Sequence, residues 1–206
     1  MNSRELVRKS LDHQQADKIP VDFGSTAVTG IHVLAIEKLR AHYGLAKRPV
    51  KVIEPYQMLG DVDDELKDII SVDTVGVTPR NNMFGFANEN FKEFKTWWGQ
   101  EILVPENFNT TVDTDGSLLI YPEGDTSVAP SAKMPANGYF FDAIIRQEHF
   151  DENALDVTDN LEEFGSISQQ DLYYWEAEIA KARETERAVV ATFGGTAFGD
   201  IALVPG

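Results

Sequence analysis

Short apolar runs separated by helix-like segments are the main pattern along this chain. The run Ile19–Phe23 is apolar, contains β-branched residues and is followed by Gly24. Val72–Val77 and Ala188–Phe193 have the same character. Buried strands that alternate with helices are typical of a parallel α/β sheet. We therefore predict three parallel strands at these positions, lying side by side and pointing in one direction.

Four helices are predicted around these strands, since apolar residues recur in each segment at the spacing of one helix face. Ser3 can cap the first helix, and Gly44 is expected to end the second, because glycine commonly follows the last helical residue. A brief extended segment is expected at Val50–Glu54. The predicted helices cover residues 3–13, about 29–44, 61–71 and 169–186.

The pattern changes to antiparallel strands after residue 90. Phe91–Val104 has apolar residues on both sides of Gly99, which indicates a strand pair. Asp115-Gly116 lies between two extended runs and is a strong hairpin signal. We interpret residues 90–125 as a β-rich insertion on an α/β frame. Residues 126–139, rich in Ser, Ala, Pro and Gly, are expected to form a loop.

Charge and composition limit the classes of molecule that this chain is expected to bind. The chain of 206 residues has 18 basic and 34 acidic residues, a net charge of −16, which disfavours nucleic acid and anionic membrane surfaces. It contains no cysteine, which excludes disulfides, thiolate nucleophiles and Cys-ligated zinc for this chain. No apolar run approaches the ~20 residues of a membrane span, and the N-terminus is a charged helix start. We expect a cytoplasmic protein that binds a small molecule.

Candidate site residues follow the predicted strands, because ligands of parallel α/β sheets bind beyond the carboxyl ends of the strands. Asp22 is the candidate acid or base, or else the anchor of a neighbouring loop. Arg80 could hold a phosphate or carboxylate, or form a surface ion pair. A single helical histidine is usually packed or solvated, but His32 lies near the end of the first strand. The substrate-binding candidates are Ser25, Thr26, His32, Arg80, Asn81 and Thr196.

Two adjacent tryptophans stand out in the β-rich segment. Trp97 and Trp98 could pack against the frame or form a platform for a ligand. We favour packing, because large aromatic side chains usually contribute buried area to a core.

The number of predicted frame strands is small for the fold that they suggest. An eight-stranded α/β barrel needs ~250 residues, whereas three frame strands are visible here. Three parallel strands alone would leave long unpaired edges. We expect these edges to be covered either by a partner, as in a homo-oligomer, or by the C-terminal half of a larger barrel, which we favour. A complete small α+β domain is the alternative.

Several stretches resemble the uroporphyrinogen decarboxylase superfamily. Residues 4–13 followed by Asp17–Gly24 (Asp-Lys-Ile-Pro-Val-Asp-Phe-Gly) resemble its opening helix and first strand. Val72–Val75 resembles its second strand, and Met134–Asp142 resembles a loop of its less-studied members. The resemblance implies that this chain is the N-terminal portion of a TIM-like (β/α)8 barrel. It also implies either decarboxylation of a tetrapyrrole or methyl transfer between a corrinoid and a thiol.

Departures from the decarboxylase pattern favour the methyltransferase branch. Decarboxylases of the family carry an arginine-rich segment after the first strand, whereas Phe23–Thr29 contains no arginine. Arg80 occupies the position of the family's aspartate, and a guanidinium cannot accept hydrogen bonds from pyrrole N–H groups. The branch's zinc site cannot be carried over to a chain without cysteine, so zinc and a corrinoid would belong to a longer protein. A decarboxylase-type lyase and a non-catalytic binding or dimerisation module stay open as alternatives.

Overall fold

The computed structural model describes residues 1–145 and 166–192, which form a mixed α/β fold. Its four α-helices are α1 (Ser3–Leu11), α2 (Val33–His42), α3 (Asp64–Ile69) and α4 (Gln169–Glu184). Among these described helices, none combines the length and apolar character that crossing a bilayer requires.

The described parts of the chain contain eleven short strands, arranged in three sheets. They are β1 (Ile31–His32), β2 (Val50–Glu54), β3 (Leu59–Gly60), β4 (Thr74–Val77), β5 (Lys92–Lys95), β6 (Glu101–Val104), β7 (Thr110–Val112), β8 (Leu118–Ile120), β9 (Ala132–Met134), β10 (Asp142–Ala143) and β11 (Ala188–Ala191). One sheet has the order β1-β3-β2-β6-β5, and β2 and β6 are its parallel neighbours. The second sheet is antiparallel, with the order β10-β9-β8-β7.

The third sheet is the parallel pair of β4 and β11. Its register runs from Ala188 opposite Thr74 to Ala191 opposite Val77. The helix α4 precedes β11 and packs against β4, as the crossover helix of a βαβ unit does. Two of the three predicted parallel strands are therefore confirmed. The predicted partial barrel is not confirmed, since the residues that the structure describes form no closed barrel.

The predicted strand at Ile19–Phe23 is wrong. Ile19 is 84% exposed, and the segment belongs to no sheet. Its main chain makes single hydrogen bonds to Asp73 instead of a strand ladder: the Val21 N–H donates to the Asp73 carboxylate at 3.0 Å. The Asp73 N–H returns a hydrogen bond of 2.8 Å to the Val21 carbonyl. Pro20 has no N–H to donate, which further limits ladder formation.

The same segment nevertheless runs alongside β4 in the same direction. The side chain of Asp22 is hydrogen-bonded to Thr74, and Ser25 packs over Gly76 further along the strand. A Cβ added at Gly76 would lie 1.9 Å from the Ser25 carbonyl oxygen. Only glycine therefore permits this close approach of two main chains.

The main hydrophobic core unites α2 with the two larger sheets. The β-rich part of the chain supplies many of its residues, including the fully buried Phe108 and Phe141. This part extends beyond the predicted insertion, because the predicted loop 126–139 contains β9. The core residues are Val33, Ile36, Val50, Val52, Met58, Val62, Leu66, Phe84, Phe86, Ile102, Val104, Phe108, Ile120, Ala132, Met134 and Phe141.

The first residues of two helices differ from the predictions, because of a capping residue in α1 and a strand pairing before α2. Asn2, not Ser3, caps α1 and forms a capping box with Glu5. The second helix begins at Val33, later than predicted, because Ile31–His32 pairs with β3. Gly44, with a φ of +71°, follows α2 as predicted.

Candidate functional site

The carboxyl ends of β4 and β11 bring together several of the candidate residues. The loop that contains Ser25 packs over β4, and the residues that follow β4 start at Thr78. The first half of α4 lies at the same end, since Tyr174 on this helix contacts Thr78. Polar side chains from three chain segments thus surround one end of the parallel pair.

Asp22 is engaged by three hydrogen bonds. Its carboxylate accepts from the Ser25 hydroxyl at 2.6 Å, the Ser25 N–H at 3.3 Å and the Thr74 hydroxyl at 2.7 Å. These bonds close the turn after residue 22 and attach it to β4. The geometry fits the role of a loop anchor, because both carboxylate oxygens hold the loop in place.

Ser25 and Thr26 differ in their access to a ligand. Ser25 is 2% exposed, and its hydroxyl donates to Asp22. Thr26 is half-buried and precedes a short 3₁₀ turn at Ala27–Thr29, which its side chain does not cap. Thr26 is therefore the better placed of the two to donate a hydrogen bond to a bound molecule.

Arg80 follows β4, and its side chain donates to one partner among the described residues. Its Nη2 donates to the Glu89 carboxylate at 2.9 Å, the ion pair that the sequence left open. This contact uses one of the five N–H donors of a guanidinium. Asn81 lies beside it and pairs through its main chain with Ala87 in an isolated antiparallel bridge. The Arg80 guanidinium can therefore bind an anion while it keeps its ion pair with Glu89.

Tyr174 belongs to this group and was missed by the sequence reasoning. Burial raises its pKa and Glu178 adds to this effect, while Lys181, Thr78 and Arg80 act in the opposite direction. The phenol therefore stays protonated at neutral pH and can donate a hydrogen bond.

The signal for Tyr174 was the spacing of Tyr174, Glu178 and Ala182 along one helix face. Ala182 is the buried residue of α4. Two other large side chains of this helix, Leu172 and Tyr173, are 42% and 64% exposed.

His32 lies elsewhere and caps α2. Its Nδ1 accepts from the Leu34 N–H at 3.1 Å, so in this arrangement the proton of the neutral ring is on Nε2. The Nε2 atom lies 2.9 Å from the Tyr139 carbonyl, to which it donates. Both ring nitrogens are thus engaged. The ring lines a separate cleft of about 450 Å³ together with Tyr56 and Phe140.

Thr196, the remaining candidate, lies outside the described residues. Within residues 1–145 and 166–192, no three His, Asp or Glu side chains are grouped as a metal site requires. A zinc–thiolate site does not fit the residues present, because the chain also has no cysteine.

Comparison of the chain with models of protein families, with curated proteins and with solved structures found no match.

Proposed function

We propose that this chain is the N-terminal part of a (β/α)8-barrel enzyme of the uroporphyrinogen decarboxylase superfamily, and that it binds a small anionic substrate at its strand ends. The observation that carries the proposal is the parallel pair β4–β11, which is connected through α4. The segment around Asp22 runs in the same direction against β4. Parallel strands with a helix packed against them are what the opening of such a barrel contains.

The open edge of the parallel pair favours a barrel over a small complete α+β domain. In the described part of the chain, β11 pairs with β4 alone, and Val189 is 39% exposed. A hydrophobic strand with one free edge needs a covering strand or partner. Further strands of a barrel would supply that cover, and a second copy of the chain is the other source.

The charge and donors at the strand ends favour an anionic substrate. Arg80 has N–H donors beyond the one that binds Glu89. Thr26 and Tyr174 add hydroxyl groups at the same end of the sheet. Because guanidinium groups bind carboxylate and phosphate through paired N–H donors, we expect a carboxylate or phosphate on the substrate.

Methyl transfer between a corrinoid and a thiol is the reaction that we favour for the whole enzyme. Support comes from Arg80, which has donors only and cannot take the place of an aspartate that accepts hydrogen bonds from a tetrapyrrole. The zinc that activates the thiol in that branch finds no ligand set among the described residues. The role of this chain is therefore to bind and orient the substrate.

Calorimetric titration with 3-mercaptopropionate, an anionic thiol, tests the binding site. The neutral 2-mercaptoethanol is the matched ligand, and Arg183→Met, an exposed arginine on α4, is the matched variant. Arg80→Met should weaken 3-mercaptopropionate binding about tenfold, ~1.4 kcal/mol, while Arg183→Met should leave it unchanged. Equal binding of the anionic and neutral thiols, or no heat from either, would refute the anion site.

The reaction is tested separately. The full-length gene product, incubated with methylcobalamin and 3-mercaptopropionate, should form the S-methyl product, detected by mass spectrometry. Absence of that product, with binding intact, would eliminate methyl transfer and leave the binding site standing.

A further inference from the structure

A second cleft lies in the β-rich part of the chain, on elements that the proposed function does not use. It has a volume of about 330 Å³ and is bordered by the turn between β5 and β6 and by the four-stranded sheet. Its lining includes Met58, Phe94, Trp97, Trp98, Leu118 and Met134. Pockets of small ligands begin at about this size and are mainly apolar.

The two indoles in this cleft are held in fixed orientations. The Trp97 Nε1–H donates to the Gly138 carbonyl at 2.5 Å, and the Trp98 Nε1–H donates to the Gln100 side chain at 2.9 Å. The two rings meet edge to face, with centroids 5.5 Å apart, and Tyr139 packs against both. The polar N–H groups are thus satisfied by the protein, so a ligand would meet apolar ring surface.

A buried polar network fixes the turn that carries the indoles. The Thr96 hydroxyl accepts from the Gln100 N–H at 3.0 Å and donates to the Gln100 carbonyl at 3.1 Å. The Gln100 side chain donates to the Val33 carbonyl at 3.0 Å, which attaches the turn to α2. Gly99, at a φ of +84°, completes the turn. Trp97 is therefore held rigidly although it is 48% exposed.

One cation borders this apolar surface. Lys95 is the single charged residue in the lining, and it makes no ion pair within the described part of the chain. Lys133, which lies on β9 of the four-stranded sheet, is by contrast paired with Asp113 and Asp115. The cleft thus combines rigid aromatic walls with an unpaired positive charge at its border.

We propose that this cleft binds a small planar aromatic molecule that carries a carboxylate. Its ring system packs against Trp97 and Trp98, and its carboxylate is attracted to Lys95. Aromatic pairs in offset or edge-to-face geometry are stabilised beyond their buried area. Because the indoles are already ordered, binding loses little side-chain entropy, which favours affinity. The volume suits one or two fused rings.

The test is a titration with 2-naphthoate or its neutral analogue 2-naphthalenemethanol. Binding is monitored by nitrogen–proton correlation NMR of the indole N–H groups. The chain has three tryptophans, and Trp175 on α4 is the internal reference. Titration with 2-naphthoate should shift the indole resonances of Trp97 and Trp98 in a saturable way, with one common dissociation constant, at ligand concentrations that leave Trp175 unchanged. Equal shifts of all three, or none at millimolar ligand, would overturn the proposal.

Variants separate the two parts of the cleft. Trp97→Ala should weaken 2-naphthoate binding about tenfold, whereas Tyr173→Ala, another exposed aromatic residue, should not change it. Lys95→Met should weaken 2-naphthoate about fivefold and leave 2-naphthalenemethanol unaffected. Trp97→Phe keeps a ring at the position and should recover part of the affinity. Undiminished binding by Trp97→Ala would contradict the proposed site.

Discussion

Replacing Asp63 by alanine is expected to destabilise the protein strongly, because Asp63 is the main partner of a buried arginine. The Arg40 side chain is 3% exposed, and its Nη1 donates to Asp63 at 2.6 Å. Its Nη2 donates to Glu65 at 3.0 Å and to the Ala46 carbonyl at 2.8 Å. Asp63 also caps α3, since it accepts from the Leu66 N–H at 3.2 Å.

The magnitude follows from these two roles. Removing one partner of a buried ion pair costs about 3–5 kcal/mol, and losing a helix cap costs about 1 kcal/mol. Glu65 and the Ala46 carbonyl still accept hydrogen bonds from Arg40 in this variant. We therefore take the lower end of the range of energies for the broken ion pair. The Arg40 Nε has no partner among the described residues, so the guanidinium is already short of acceptors. We expect a loss of about 3–4 kcal/mol, or roughly 6–16 °C in Tm for a chain of this size.

Urea unfolding followed by circular dichroism measures this loss. Asp64→Ala is the matched control: it lies in the same helical turn, its side chain is 81% exposed, and the change should cost less than about 1 kcal/mol. Asp63→Asn should fall between the two, because an amide oxygen can still cap α3 but carries no charge. A loss of about 1 kcal/mol or less for Asp63→Ala would refute the reasoning, since the cap alone would account for it.

The pH dependence provides a second check on the same pair. Burial pushes the pKa of Asp63 upward, but hydrogen bonds from Arg48, the Leu66 N–H and Arg40 outweigh it, so the pKa lies below its usual value. Because the pKa of Asp63 is lower in the folded state, its ionised carboxylate stabilises the folded state. This stabilisation is complete at pH values above the unfolded-state pKa of ~3.9, and it is lost as the pH falls through the folded-state pKa. The difference in unfolding free energy between wild type and Asp63→Asn should therefore be constant near pH 7 and shrink below about pH 4. A difference that does not change with pH would show that the charge of Asp63 is unimportant.

Three further substitutions test other contacts. Gly76→Ala should destabilise by about 3 kcal/mol or more in thermal unfolding, because the added methyl group would overlap the Ser25 carbonyl oxygen; an unchanged Tm would contradict the close approach. Lys133→Met should raise the pKa of Asp115, because the hydrogen bond from Lys133 helps to hold that pKa at about 2. An NMR titration of the carboxyl carbon measures this pKa, and an unchanged value would contradict the prediction. Arg4→Met should cost about 2 kcal/mol and speed hydrogen exchange at the end of α4, because the guanidinium caps four carbonyls between residues 182 and 187; unchanged exchange there would argue against that cap.

Local sequence signals were enough for the elements that local chemistry determines. The strand Val50–Glu54 was predicted to the residue. Glycine allowed two turns to be predicted, the hairpin at Asp115-Gly116 and the strand pair around Gly99, because glycine adopts positive φ in tight turns. Gly99 and Gly116 both have positive φ here, and each lies between paired strands. The helix α4 followed from its hydrophobic period, and the strands β4 and β11 followed from their short apolar runs.

The elements that long-range contacts determine could not be predicted in this way. Ile19–Phe23 has the composition of a buried strand, but the side chain of Asp73 takes the hydrogen bond that a neighbouring strand would make. Nothing local in either segment indicates that contact, which joins residues more than 50 positions apart. At the candidate site, Asp22 was predicted from its position at the end of the first apolar run, and Arg80 from its position after the second. Tyr174 was missed because choosing between two adjacent tyrosines requires the exact phase of the helix.

The distribution of the core suggests different requirements for the two proposed sites. The core unites α2 with the two larger sheets, and the turn with Trp97 is attached to it through buried hydrogen bonds. The parallel pair stands apart from that cluster: Val77 is buried, but β4 and β11 contribute no residue to it. A cleft attached to the core can be preordered by this chain alone, since rigid packing surrounds it. A site at the ends of β4 and β11 depends on whatever covers the free edge of β11. Binding of 2-naphthoate should therefore need only this chain, whereas the anion site should gain affinity when that edge is covered.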